Sequence, residues 1–365
     1  METARTMTND PADEVDLTGD ELIDDTFDES DFEDDDDEFT DEGDTLVADA
    51  DPSAVQTPLA SGDQVLTHSG FIAVIGRPNV GKSTLMNRIL GEKIAIVSPK
   101  PQTTRIRQLG ILSQPGVQAI FVDTPGIHEP RHKLGEFMVS VAIDALRDAD
   151  VIVFVVDLSE PPTQEDRHVA DLLREANVHA PTVLALNKID LLAADNVIGR
   201  TEAYRELAPN ADWATLSASF GNGVPDLLKR IIGLLPSGPQ FYPDDQLSDT
   251  NMRDIVAEIV REKILLNTDQ EIPYSVAVAV EEFKERSAKM TYISATIYAE
   301  RDSQKGILIG KNGAMLKKIS SEARADAETL LQTKVYLELW VKVLKNWRTD
   351  DAILKRLGYR IDRQQ

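Results

Sequence analysis

The chain has 365 residues and no cysteine, so it has room for two domains and neither a disulfide framework nor a thiolate metal site. No apolar run approaches the ~20 residues of a membrane span, and the acidic N-terminus is unlike a secretion signal, which predicts a soluble cytoplasmic protein. The net charge of −25 is unevenly placed: residues 1–66 hold 24 Asp and Glu against one Arg, which leaves −2 on the remaining 299 residues.

Residues 1–66 read as a disordered acidic tail. Blocks such as Asp34-Asp35-Asp36-Asp37-Glu38 repel one another, and scattered Leu22, Ile23 and Phe27 cannot bury enough apolar surface to offset chain entropy. A plain solvating tail is one reading. An electrostatic mimic of nucleic acid, competing for a basic surface, is the other.

Residues 67–235 alternate apolar runs with amphipathic segments. Val117–Val122, Val151–Val156 and Thr182–Leu186 are continuously apolar, which suits strands covered on both faces. Helical segments such as Glu165–Ala176 and Val224–Leu234 separate them, the pattern of an α/β, doubly wound, mostly parallel sheet. In such sheets ligands bind beyond the carboxyl ends of the strands, and each motif here follows a strand.

The first motif is Gly76-Arg77-Pro78-Asn79-Val80-Gly81-Lys82-Ser83-Thr84, between an apolar strand and a helix-like segment. Its glycines let backbone N–H groups converge on an anion, and the helix adds its positive end. Lys82 can reach terminal phosphates and the Ser83 hydroxyl can bind Mg²⁺. Asp123-Thr124-Pro125-Gly126 follows, with an Asp suited to the water shell of Mg²⁺ and a Gly126 N–H suited to a γ-phosphate. Asn187-Lys188-Ile189-Asp190 comes next. An Asp carboxylate accepts from guanine N1–H and the 2-amino group, which adenine lacks. Lys188 is placed to cover the ring, and Asn187 to tie this loop to the phosphate loop. The Ser217-Ala218 backbone can offer an N–H to guanine O6. The histidines are scattered, and no metal site is assigned to them.

Residues 236–246, with three prolines and a glycine, read as a linker. Residues 247–365 then read as helix, strand, strand, basic loop (303–314), helix, strand, with a helical tail. Ile309-Gly310-Lys311-Asn312-Gly313 frames a tight glycine loop before a helix, among Lys305, Lys317 and Lys318 and without an acid from Ser303 to Ser321. Such a loop can approach a phosphodiester backbone. An ordinary glycine turn beside a solvated helix is the plainer reading.

In order, these G-domain motifs resemble those of the TRAFAC class of GTPases. The resemblance implies a switch threonine in Pro101-Gln102-Thr103-Thr104-Arg105, with Thr104 preferred and Thr103 as the alternative. Ile127 stands where many of these GTPases carry a catalytic Gln, which implies slow intrinsic hydrolysis. An Asn at the Asn79 position accompanies a K⁺ ion in related GTPases; the plainer reading is a turn residue. The implied catalytic set is Lys82, Asn79, Thr104 and Gly126, with Mg²⁺ held through Ser83, Thr104 and Asp123. Across residues 68–360 the chain is similar to the Era family of bacterial ribosome-assembly GTPases, through GRPNVGKSTLMN, PQTTR, DTPG, NKID, IGKNG and LELWVKV. That resemblance implies a P-loop GTPase domain followed by an α+β type II KH domain. It also implies GTP/GDP with Mg²⁺ as ligands, 16S rRNA near its 3′ end and the small ribosomal subunit as partners, and a cytoplasmic monomer. Some family members associate peripherally with the inner face of the membrane. The competing reading is a membrane-associated or signalling GTPase whose KH-like module binds protein.

Overall fold

A computed structural model describes residues 67–359 apart from 131, 177 and 178, so the acidic tail lies outside the described residues. The described chain divides into two compact units, residues 67–258 with 348–359, and residues 259–347.

The first unit is built on a seven-stranded sheet of β1 (Thr67–Ile75), β2 (Gln108–Gln114), β3 (Val117–Asp123), β4 (Val151–Asp157), β5 (Thr182–Asn187), β6 (Asp212–Thr215) and the short β7 (Ser237–Gly238). The order is β2-β3-β1-β4-β5-β6, with β7 beside β1. Strands β3, β1, β4, β5 and β6 are parallel, while β2 and β7 pair antiparallel. The parallel strands therefore deliver Ile75, Asp123, Asp157, Asn187 and Thr215 to one edge of the sheet. Because side chains alternate along a strand, Ile72 and Val74 pack on one face with α1 (Lys82–Leu90) and, later in the chain, the helix Val224–Leu234; Ala73 and Ile75 pack on the other, with α2 (Lys133–Arg147), α3 (Gln164–Glu175) and α4 (Val197–Arg205). The helix Val224–Leu234 is α5.

The alternating sequence signal missed β2 and α2. β2 is an antiparallel edge strand with a short apolar stretch, and α2 begins in a histidine- and lysine-bearing loop, where His132 caps it by accepting from the Gly135 N–H.

The segment expected to be a free linker is pinned to this sheet. Buried Gln118 on β3 accepts from the Phe241 and Tyr242 N–H groups (2.7 and 3.0 Å) and donates to the Tyr242 carbonyl (2.8 Å). Ile111 N–H donates to the Leu247 carbonyl (2.8 Å), and the Ser248 hydroxyl to the Leu109 carbonyl (2.7 Å). The chain thus covers the β2 edge, whose groups would otherwise stay unpaired. The sequence reading began the second domain at residue 247. The structure carries the first unit on to residue 258, inside α6 (Met252–Asn267), and returns residues 348–359 to it, with Leu134 N–H bonded to the Arg348 carbonyl (3.1 Å) and Phe137 edge-on to Tyr359.

The second unit continues from α6 through the short α7 (Ile272–Ser275) to β8 (Ala277–Ser287), β9 (Met290–Ala299), α8 (Asp302–Ile309), α9 (Ala314–Leu331) and β10 (Lys334–Val343). The sheet order is β10-β9-β8, with β9–β10 parallel and β8–β9 antiparallel. Ile293, Ala295 and Ile297 on β9 and Val335, Leu337, Leu339 and Val341 on β10 form its core, as their alternation required. Much of the expected basic loop is helical instead. Residues 302–309 form α8 because Gln304 reaches back to the backbone N–H groups of Glu300 and Arg301, and Leu308 has a core to enter. A last helix, α10 (Asp351–Arg356), is capped by Asp350, which accepts from the Ala352 and Ile353 N–H groups.

Candidate functional site

The loop 76–81 joins β1 to α1 and folds around Lys82, whose ammonium is buried and donates to the Gly76 and Arg77 carbonyls (3.1 and 3.0 Å). Burial pulls this lysine down to about 8, against the upward pull of Asp123. Asp123 ends β3 and is fully buried; burial raises its pKa against Lys82, Ser83 and Thr104. Its Oδ2 accepts from the Ser83 hydroxyl (2.6 Å) and the Thr104 hydroxyl (3.2 Å), which are themselves 3.0 Å apart. Its Oδ1 is buried with no hydrogen-bond partner. A buried lysine and a buried carboxylate, each pushed toward its neutral form, gain from an incoming anion and an incoming cation. Two hydroxyls and an unsatisfied carboxylate oxygen are hard oxygen donors, so this corner fits a hydrated Mg²⁺ beside phosphate.

Thr103 and Thr104 separate cleanly. Thr104 joins Ser83 and Asp123, whereas the Thr103 hydroxyl turns back to the Lys100 carbonyl (2.6 Å). Gly126 lies against the phosphate loop so closely that a Cβ there would stand 2.7 Å from the Pro78 nitrogen. Thr124 is tied by its hydroxyl to the Val74 carbonyl (2.8 Å), which fixes where Pro125 and Gly126 emerge. Ile127 is fully buried in the sheet's second core, so no side chain from that position enters the site. Asn79 has φ 62 and donates to the Pro99 carbonyl (2.8 Å).

At the other end, the Asn187 amide donates to the Val80 carbonyl (2.8 Å) and its oxygen accepts from the Ala218 N–H (2.9 Å). Lys188 lines the cavity and its ammonium pairs with Asp157 at the end of β4 (2.6 Å). Against its own burial, the bonds from Lys188 and Ser159 hold the Asp157 carboxyl below the usual range. Asp190 is exposed and takes no partner among the described residues. A cavity of about 310 Å³ runs from the phosphate loop to Asn187, Lys188 and Ser219, lined also by Val97–Pro99, Gln102–Thr104 and Gly126; Asp190 is not among its lining residues.

Arg77 and the Ser217-Ala218 backbone are committed to partners of their own. The Arg77 side chain does not line the cavity. It is drawn into an ion cluster with Asp166 (3.2 Å), Asp157 (3.9 Å) and Glu160, because those carboxylates gather behind the loop, and only its backbone serves the site. Of the Ser217-Ala218 backbone, expected to offer an N–H to guanine O6, the Ser217 N–H goes to the Asn222 carbonyl (2.9 Å) and the Ala218 N–H to the Asn187 carboxamide (2.9 Å); the residue of that loop that lines the cavity is Ser219. The sequence reading also missed Asp157 and Arg88. Neither carries a local motif, since each acts on a loop distant in the chain.

In the second unit, Gly310 has φ 74 and sits so that a Cβ would meet Met315 Cβ at 2.8 Å, so only glycine fits. Lys311 and Asn312 are exposed at the tip between α8 and α9. Lys317 and Lys318 are exposed on the first turns of α9, while Lys305 and Ile309 are half-buried on α8. Gly313, at the start of α9, has no side-chain cap; the tight turn is closed by its N–H to the Gly310 carbonyl (3.2 Å) and by the Ala314 N–H to the Lys311 carbonyl.

The description "50S ribosome-binding GTPase" matches residues 71–188, and "KH domain" matches residues 271–348. GTPase Era of Geobacter metallireducens is 51% identical over 292 residues, covering 80% of this chain and 97% of its own. The chain belongs to the Era family of GTPases. GTPase Era of Lacticaseibacillus paracasei is 50% identical, again over 80% of this chain and 97% of its own. Among solved structures, Era in complex with MgGDPNP and nucleotides 1506–1542 of 16S ribosomal RNA superposes with a TM-score of 0.78 at 39% identity, covering 81% of this chain and 100% of that one. A point variant of Aquifex aeolicus Era bound to GDP and AlF4⁻ gives 0.77 at the same identity and coverage.

The split between the two threonines makes a direct prediction. Thr104→Ala should weaken binding of a non-hydrolysable GTP analogue with Mg²⁺ by at least about tenfold and leave GDP binding nearly intact. Thr103→Ala should change both by less than about threefold. Equal losses for the two variants, measured by titration calorimetry, would reverse the assignment.

Proposed function

We propose that the chain is a GTP-binding and GTP-hydrolysing switch that binds 16S rRNA near its 3′ end and assists assembly and maturation of the small ribosomal subunit. The observation that carries this reading is the family membership of both units in one order, with a solved relative holding MgGDPNP and 16S rRNA together along 81% of this chain. Lys82 and the amides of Asn79–Thr84 hold the phosphates, and Ser83, Thr104 and, through water, Asp123 hold Mg²⁺. Bound Mg²⁺ neutralises charge on the β- and γ-phosphates. The Gly126 N–H senses the γ-phosphate. With GTP bound, the loops around Thr104 and Gly126 are held together; after hydrolysis releases phosphate they are freed.

Asp190 reads the guanine N1–H and 2-amino group, with Lys188 across the ring and Asn187 bracing both halves of the site. Asp190→Asn should therefore lose GTP affinity and gain xanthosine triphosphate affinity, because xanthine presents a carbonyl in place of the amino group. Unchanged affinities for both nucleotides would remove Asp190 as the reader.

Intrinsic turnover is slow in this reading, since buried Ile127 cannot orient a water. A K⁺ ion bound with help from the Asn79 side-chain oxygen supplies the missing positive charge. Supporting this, Asn79 lines the cavity and its amide is bonded to the Pro99 carbonyl, which leaves the carboxamide oxygen as the free end of the group. GTP turnover should be faster in KCl than in NaCl at equal ionic strength, and Asn79→Ala should erase the difference. Identical wild-type rates in the two salts would rule K⁺ out.

RNA is held by the loop Gly310–Gly313, with Lys305, Ile309, Lys317 and Lys318 around it. The glycines let the backbone approach, and Lys311 and Asn312 face the phosphates. Replacing Lys311 and Asn312 together by Asp leaves the apolar core untouched. It should cut binding of a 16S rRNA 3′-end oligonucleotide at least about tenfold, with GTP binding and melting temperature nearly unchanged. Full RNA binding by the folded double variant would favour a protein-binding role for this unit. The setting we propose is the cytoplasm, as a monomer, with any membrane association peripheral to the inner face; no helix among the described residues is long and apolar enough to cross a membrane.

A further inference from the structure

Arg88 lies in the last turn of α1 and does not line the nucleotide cavity, yet its guanidinium reaches the loop that follows β6. Nε donates to the Ala218 carbonyl (3.1 Å), and a terminal nitrogen donates to the Ser219 carbonyl. On its other side this loop is held by Asn187, which accepts from the Ala218 N–H. The loop's other bonds close its far side, from the Gly221 N–H to the Ser217 carbonyl (2.7 Å), the Ser217 N–H to the Asn222 carbonyl (2.9 Å) and the Phe220 N–H to the Ser217 hydroxyl (3.3 Å); none of them holds the Ala218 carbonyl or the Ser219 N–H.

The peptide plane makes the consequence specific. In a trans peptide the C=O of one residue and the N–H of the next point in opposite directions. Pinning the Ala218 carbonyl toward α1 therefore turns the Ser219 N–H away from α1. Ser219 lines the nucleotide cavity, and its N–H donates to no acceptor among the described residues. The Ala218 N–H, by contrast, is committed to Asn187. We propose that Arg88 is a positioning residue for guanine specificity: it fixes the Ala218–Ser219 peptide so that the Ser219 N–H is presented to the purine 6-position oxygen. The inference rests on the reading of this cavity as a guanine-nucleotide site.

The chemistry predicts a selective defect. Asp190, on a different loop, reads the 2-amino side of the base; Arg88 acts only on the 6-position side. Three diphosphates separate the two edges. Guanosine diphosphate carries both groups, inosine diphosphate lacks the 2-amino group, and 2,6-diaminopurine riboside diphosphate replaces the 6-oxygen by an amino group. A fixed N–H donor meeting that amino group leaves two donors face to face without an acceptor, which is a strong basis for rejection.

The experiment is titration of the full chain, wild type and Arg88→Met, with the three diphosphates and Mg²⁺. Methionine keeps the length and apolar stem of the side chain and removes the donors. The wild type should prefer guanosine over both analogues. In Arg88→Met the preference for guanosine over the diaminopurine nucleotide should fall at least about tenfold, while the preference over inosine stays within about twofold of wild type. Equal loss of both preferences, or loss of neither, overturns the assignment of Arg88, since a generally loosened site would degrade both edges together. A wild type without preference for guanosine overturns the guanine-site reading itself, and this inference with it. Should Arg88→Met not fold, Arg88→Lys serves the same comparison, because one ammonium cannot reproduce the fork to two carbonyls. The ratio among nucleotides is internal to each folded protein, so the answer does not depend on overall affinity.

Discussion

The Asn187 carboxamide, almost wholly buried, gives its N–H to the Val80 carbonyl and takes one from the Ala218 amide. Three loops leaving three strands, β1, β5 and β6, thus meet on a single planar group. The parallel sheet makes this meeting possible, since it delivers the ends of those strands to one edge. The tolerance is small: a Cβ on Gly81 would stand 2.4 Å from the Asn187 amide nitrogen. Shape at the phosphate end and shape at the base end are therefore linked through a contact that contains neither phosphate nor base. Arg88, from α1, and the Asp157–Lys188 pair, at the cavity wall, reinforce the same linkage.

The phosphate end is electrostatically incomplete by construction. Lys82 and Asp123 are both buried, and desolvation disfavours the charged form of each. An incoming phosphate compensates the lysine, and an incoming divalent cation compensates the carboxylate. Binding then relieves a cost that the folded protein carries, which makes nucleotide a stabilising ligand by mass action. The buried and partnerless Oδ1 of Asp123 is part of the same design, since a metal-bound water could occupy its free valence.

The sequence made most of the nucleotide site legible because its parts are local. A phosphate loop, DTPG, NKID and Ser-Ala each depend on a few adjacent residues at a strand end. Thr104 was chosen over Thr103 on motif position, and its hydroxyl does lie on Ser83 and Asp123. What could not be read was tertiary. Nothing near Arg77 in the chain announces Asp166 or Glu160, so the ion cluster that its side chain joins behind the phosphate loop is not legible from the motif. Nothing near Arg88 announces the loop at Ala218. In the second unit the αββ…αβ order was legible, but α8 was not. Its polar, lysine-bearing face hid the Gln304 cap and the buried Leu308 that make it helical. The linker was recognised by its prolines, while its docking on β2 depends on Gln118, a buried amide within an otherwise apolar run.

That docking bears on how a switch would reach RNA. β2 begins shortly after Thr104, and the chain leading toward α6 is bonded to it at Leu247 and Ser248. The Thr104 loop and the chain leading toward α6 are therefore both attached to one strand. We propose that nucleotide and RNA affinities are coupled. By linkage, coupling must appear in either binding equilibrium. The most direct measurement is the affinity of the full chain for a single-stranded oligonucleotide of the 16S rRNA 3′ end, determined at fixed salt with saturating GDP and again with a saturating non-hydrolysable GTP analogue. The dissociation constants should differ by at least about fivefold between the two nucleotide states; indistinguishable constants would contradict the coupling.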